Sequence, residues 1–68
     1  MVRIAFGDRI RTLRLERGWT QVEMADFLVM DRSYLSEIET GKKDPSLTML
    51  KTIAVGLAIP LSKLIDGL

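Results

Sequence analysis

The sequence predicts an all-α fold, a compact bundle of five short helices, and three observations predict it. Apolar residues recur at helical spacing in every segment, as in Phe6, Ile10 and Leu13 or Leu50, Ile53 and Leu57. Gly18, Gly41, the pair Asp44-Pro45 and Pro60 punctuate the chain at short intervals, where glycine and proline end or start helices. No segment combines strict alternation with β-branched enrichment, which a strand would require. Sixty-eight residues are enough for one domain, expected to span residues 1–68.

The first helix is expected over about residues 4–17. Phe6, Ile10 and Leu13 form its stripe, with Leu15 beside them, and Gly18 takes the position after the last turn where left-handed geometry favours glycine. The second, residues 21–28, opens on T-x-x-E. Thr20 and Glu23 can each satisfy the other's backbone N–H, and Trp19 and Met24 sit at the two positions of a hydrophobic staple. Met24, Ala25 and Leu28 face inward, and Phe27 falls at the core edge. The turn Val29-Met30 is awkward. A tight link to the next helix calls for left-handed geometry at Val29, costing roughly 1–2 kcal/mol for a residue other than glycine. Either a strained Val29 or an adjusted turn is expected.

The third helix, residues 32–40, has Asp31 as its N-cap, Met30 and Leu35 placed to staple it, and Gly41 after its end. Arg32, Ser33, Ser36, Glu37 and Thr40 share one face; Tyr34, Leu35 and Ile38 share the other. Such a helix can dock by its back and read with its front. The candidate target is DNA, whose major groove admits one α-helix and presents donors and acceptors on base edges. The fourth helix follows Pro45, with Asp44 or Ser46 as N-cap, and runs to about residue 57. Leu47, Leu50, Ile53, Ala54 and Leu57 form its stripe, and Gly56 lies inside it at a cost of up to ~1 kcal/mol relative to Ala. The fifth is a short turn over residues 60–66 with Leu61, Leu64 and Ile65 apolar. Val55, Ile65, Leu68 and Met49 fall outside the main stripes. An apolar patch at this end suggests a partner surface, and a homodimer through Val55, Ile65 and Leu68 is expected.

Charge is uneven. Residues 1–17 carry five Arg against two acids, net +3; residues 18–40 carry Arg32 against five acids, net −4; residues 41–51 are net +2. An acidic reading unit must draw its phosphate contacts from basic flanks and helix N-termini. The Arg-rich first helix and Lys42-Lys43 are expected to supply them. With no Cys and no His, disulfides, thiolate or imidazole metal sites and Cys/His nucleophiles are excluded, and no glycine-rich phosphate loop occurs. No enzyme, catalytic residue, metal, cofactor or small-molecule ligand is implied. No apolar run approaches the ~20 residues of a membrane span. The start, MVRIAFGDRIR, lacks an apolar core followed by small residues, so no signal peptide is expected. A cytoplasmic location fits the absence of Cys.

The chain resembles the Cro-type helix-turn-helix family of phage repressors and XRE-like bacterial regulators. The resemblance rests on FGDRIRTLRLERGWTQVEMA, RSYLSEIETGKKDPSLTMLKTIA and IPLSKLI, and above all on R-S-Y-L-S-x-I-E-x-G-K-x-x-P-S-L. It implies a lambda-repressor-like five-helix domain whose helix-turn-helix is formed by helices 2 and 3. Helix 3 would lie in the major groove of double-stranded DNA with Arg32, Ser33, Ser36 and Glu37 at base edges. Gln21 would anchor a phosphate, and Lys42 and Lys43 would lie near the backbone; Thr20, Tyr34 and Thr40 complete the expected backbone-contacting set. The resemblance also implies a semi-buried ion pair between Arg14 and Glu39. The chain departs from the family at Val29, in place of the usual turn glycine, and at Gly56 and Ala58, near a swap of the family's Ala and Gly. Glu37 could accept from cytosine N4 or be a solvent-facing residue that repels phosphates.

The implied function is sequence-specific transcriptional regulation, as a stand-alone controller of the restriction–modification type or as the DNA-binding part of a longer repressor. The alternative is a protein-interaction module, such as an antitoxin or antirepressor partner, in which the acidic unit binds protein.

Overall fold

Five helices follow one another in a computed structural model that describes residues 2–68: α1 (Val2–Glu16), α2 (Gln21–Leu28), α3 (Arg32–Glu39), α4 (Leu47–Gly56) and α5 (Leu61–Leu64). No strand occurs among the described residues. α1 packs on α3, α2 on both α3 and α4, and α4 on α5. The core gathers at least one side chain from every helix. Ile10, Met24, Leu35, Ile38, Ile53 and Leu64 are fully enclosed, and burying each stabilises the fold by about 1.5–3 kcal/mol before chain entropy is counted.

The helix starts are made locally. At α2 the capping box is complete: Glu23 N–H donates to Thr20 Oγ1 at 3.1 Å, and Thr20 N–H donates to Glu23 Oε1 at 2.8 Å. Asp31 Oδ1 accepts from Ser33 N–H at 2.7 Å. Of the two candidates before α4, Ser46 is the cap, accepting from Met49 N–H at 3.1 Å.

The ends share one design. After α1, α2, α3 and α4 the chain turns left-handed at Gly18, Val29, Gly41 and Ala58. In each case the next residue's N–H bonds back across the last turn: Trp19 to Arg14, Met30 to Ala25, Lys42 to Glu37 and Ile59 to Ala54. These are Schellman terminators. Two are built on glycine, which bears no Cβ penalty. Two are built on residues that pay it. Val29 has φ 56° and ψ 51°, so the turn accepts the strained geometry rather than avoiding it.

Several expectations are corrected. Leu15 is exposed, because it lies well around α1 from the Phe6–Ile10 stripe. Leu47 is exposed in the first turn of α4, whose stripe meets the core only from Leu50 onward. Leu68 and Met49, expected outside, are half-buried and pack on the core; Ile65 and Val55 remain exposed. α5 is shorter than residues 60–66, with Pro60 at its N-cap. Gly56 has a packing reason: a Cβ there would run into Leu28 Cδ2. Gly7 has a stronger one. A Cβ there would meet the Ile38 carbonyl oxygen and lie 2.7 Å from that of Glu39. Glycine is what lets α1 lie against the end of α3.

Candidate nucleic-acid interface

The helix-turn-helix geometry follows from two seams. α3 turns Leu35 and Ile38 into the core and leaves Arg32, Ser33 and Thr40 exposed, with Ser36 and Glu37 half-exposed between them. α2 turns Met24, Ala25 and Leu28 inward. At 1% exposure, Ala25 has no room for a larger side chain at the α2–α3 contact. Arg32 opens α3 and stands exposed at its N-terminal end. Trp19 and Phe27 lie to one side, ring centroids 4.8 Å apart and tilted at 42°, which accounts for the half-exposed Phe27.

Behind α3 is a polar core. Arg14 Nε donates to Glu39 Oε2 at 2.8 Å and Nη2 to Oε1 at 3.0 Å, a two-pronged pair. Arg14 Nη1 also reaches the Trp19 carbonyl at 3.0 Å. The hydrogen bond to Glu39 raises the Arg14 pKa, burial opposes it, and the Coulomb attraction of Glu39 adds to it. Gln21 Nε2 donates to Glu39 Oε1 at 3.2 Å. The pair therefore joins α1, the start of α2 and the end of α3, and braces α3 against the other two helices. The Gln21 amide group faces this pair, so what Gln21 can offer a phosphate is its remaining carboxamide edge and its backbone N–H at the open end of α2.

The arginines of residues 1–17 are placed differently from the sequence expectation that they hold phosphates. Arg14 is in the buried pair. Arg9 donates to the carbonyls of Lys63, Leu64 and Asp66 at 3.1, 3.2 and 2.7 Å. Arg17 donates to Leu57 and Leu13 carbonyls at 3.2 and 3.1 Å. Guanidinium forks satisfy the carbonyls that helix ends leave orphaned, so three of the five tie the bundle together. Arg3 and Arg11 stand exposed. Nothing local in the sequence announces this, because the acceptors lie 40–57 residues away for every contact of Arg9 and for Arg17 to Leu57.

The acidity of residues 18–40 is also largely absorbed. Glu23 and Asp31 cap helices, Glu39 is paired with Arg14, and Glu37 Oε1 lies 3.6 Å from Lys43 Nζ. Thr40 Oγ1 donates to the Ser36 carbonyl at 2.9 Å. Lys42 is exposed in the turn after α3, and Lys43 Nζ also sits 5.6 Å from the Tyr34 ring centroid. Among the described residues no group of three or more acidic side chains could hold a metal ion, and no helix is long and apolar enough to cross a membrane.

Of the expected dimer residues, Ile65 and Leu68 line an open cavity of about 390 Å³ together with Val2, Phe6, Pro45 and Leu50. Val55 is exposed on α4 and does not line it.

A profile of the helix-turn-helix family matches residues 10–64. The transcriptional regulator ClgR of Mycobacterium tuberculosis (strain ATCC 25618 / H37Rv) is 42% identical over 62 residues, covering 91% of this chain and 55% of that protein. The control protein C.MunI of Mycoplasma sp. is 38% identical over 68 residues, covering 98% of this chain and 92% of that protein. Among solved structures, the restriction-modification controller protein C.AhdI from Aeromonas hydrophila superposes with a TM-score of 0.84 at 34% identity, covering 91% and 94% of the two chains. The chain spans about half the length of the ClgR regulator and nearly all of the two controllers. With Ala25, Leu35 and Ile38 locked between two capped helices and a match over most of its length, the chain belongs to the helix-turn-helix family.

Proposed function

We propose that this chain is a sequence-specific DNA-binding transcriptional regulator that lays α3 in the major groove of double-stranded DNA. The observation that carries the reading is the two-sidedness of α3. Its apolar back is sealed into the core and its Arg14–Glu39–Gln21 brace is buried, while Arg32, Ser33, Ser36 and Glu37 form an outward polar edge. Arg32 is the base reader, through its bidentate fit to guanine. Ser33, Ser36 and Glu37 flank it, and Thr20, Gln21, Tyr34, Thr40 and Lys42 surround that edge as the phosphate-facing set. The names of ClgR, C.MunI and C.AhdI support this reading of the chain.

The same reading has the protein acting in the cytoplasm as a homodimer. Ile65 and Leu68 border an apolar hollow beside exposed Val2, where a second copy would dock; dimers that read two half-sites hold their reading helices about one DNA turn apart, near 34 Å. Selection of bound sequences from a random pool, followed by footprinting, tests the function. A two-fold-symmetric site with half-sites about 10 base pairs apart is expected. Failure to enrich any sequence at low or moderate salt, together with a stable complex to another protein, would favour a protein-interaction module instead. Sedimentation of an Ile65→Asp variant tests the dimer. A mass identical to that of a dimeric wild type would move the interface elsewhere.

A further inference from the structure

Glu37 is the one carboxylate on the outward edge of α3, and the groove it would enter is lined by phosphates. An unpaired carboxylate there is repelled on both sides. The structure does not leave it unpaired. The backbone N–H groups of Lys42 and Lys43 both donate to the Glu37 carbonyl, at 2.9 and 3.3 Å, closing the turn after α3 so that the chain folds back beside Glu37. That turn brings Lys43 Nζ to 3.6 Å from Glu37 Oε1, over the Tyr34 ring at 5.6 Å from its centroid. Lys43 is thereby held on two sides, by a carboxylate and by an aromatic face, each of which attracts an ammonium. A lysine reaching for phosphate alone needs neither.

We infer that Lys43 is a positioning residue for base readout: clasped between Glu37 and the Tyr34 ring, it shields Glu37 from the phosphates and orients it as the acceptor for an exocyclic amino group, cytosine N4 or adenine N6. This rests on the DNA-binding reading above and deepens it. In water such a pair contributes little, because both partners are about half exposed and well solvated. In the groove water is displaced and the same contact strengthens. Lys42, exposed in the same turn, keeps the plain phosphate role. The two adjacent lysines then do different jobs: Lys42 contributes affinity for any duplex, and Lys43 contributes choice among duplexes.

The test uses the full 68-residue chain and the site it selects from a random pool. Wild type, Lys43→Ala, Lys43→Arg, Glu37→Gln, Lys42→Ala and the Lys43→Ala/Glu37→Gln double variant are titrated against every single-base variant of that site and against random duplex, across a range of salt. Lys43→Ala and Glu37→Gln are expected to lose preference at the same base pair, each by roughly tenfold, within the span of a single well-made base contact. The double variant should lose no more than either single one, and Lys43→Arg should restore most of the preference. The slope of log affinity against log salt should stay put in Lys43→Ala and flatten by about one in Lys42→Ala. If Lys43→Ala weakens site and random duplex by one common factor with every base preference intact, Lys43 is an ordinary phosphate contact and the inference falls alone. If the wild type itself enriches no site, the DNA-binding reading falls and takes the inference with it.

Discussion

Replacing Val29 with glycine should make the protein more stable. Val29 sits at φ 56° with a β-branched side chain, and that region costs a residue other than glycine roughly 1–2 kcal/mol. Glycine removes this cost but frees the unfolded chain, losing about 0.5–1 kcal/mol. The side chain is 90% exposed, so its removal gives up only a few tenths of a kcal/mol of apolar burial. Both terminator hydrogen bonds are made by backbone N–H groups, Val29 to Asp26 at 3.2 Å and Met30 to Ala25 at 2.9 Å, and survive the change. The net gain is about 0.5 kcal/mol. For a domain of this size that corresponds to a melting temperature higher by roughly 2–4 °C. Thermal unfolding followed by circular dichroism reads it directly. Ala58→Gly is the internal control, since Ala58 has φ 57° and is exposed; with no β-branch to relieve, its gain should be smaller but of the same sign. A melting temperature that is unchanged or lower in Val29→Gly would refute the claim that the turn is strained.

Four further outcomes are expected. Arg32→Ala should cost ~1–3 kcal/mol in binding the selected site and relax specificity at one base pair; equal losses on that site and on random DNA would reassign Arg32 to phosphate. Arg14→Met leaves Glu39 buried without its partner and should lower the free energy of urea unfolding by about 3–5 kcal/mol, whereas Arg14→Met/Glu39→Leu should recover much of that loss. Because the Arg14 pKa is raised, the stability this pair confers is fully present below the ordinary arginine pKa and is lost only as pH climbs through the raised one, so stability measured between pH 6 and 9 should show no step from Arg14. Gly7→Ala should destabilise by ~1–3 kcal/mol through overpacking against the Ile38 and Glu39 carbonyls, even though alanine is the better helix former. A stabilised Gly7→Ala protein would mean that α1 can slide off the end of α3 at no cost.

What was legible in the sequence was what is encoded over a few residues. The Thr20–Glu23 box, the Asp31 cap, and the glycines after α1 and α3 are local hydrogen-bonding patterns, and each is found in place. The trouble at Val29 was legible for the same reason. Periodicity alone was less discriminating. It marks a stripe but not where the stripe runs out of neighbours, so it points Leu47 and Leu15 inward and Leu68 and Met49 outward, the reverse of where they lie. Least legible were contacts between distant segments. Arg9 and Arg17 read as surface charge until their carbonyl acceptors on other helices are seen. Gly7, buried in the first helix, has a purpose only once the end of α3 lies against it. The Lys43–Glu37 contact spans six residues but needs the turn between them. Helix count was therefore readable, as were the roles of Glu23, Asp31 and the Arg14–Glu39 pair, while those of Arg9, Arg17 and Lys43 were not.

The repeated Schellman terminators bear on time as well as shape. Each is closed by backbone bonds within six residues of chain, so helix boundaries can form before any helix has docked. Small helical bundles whose contacts are mostly local fold in microseconds to milliseconds, and this chain should belong to that class. Within it the Val29 terminator is the laggard. Its left-handed geometry is disfavoured until α3 has packed and holds it, so the link between α2 and α3 should close late in folding and be among the first to open in unfolding. A glycine at that position would hasten the closure, and the turn beside α3 would then spend less of its life ajar.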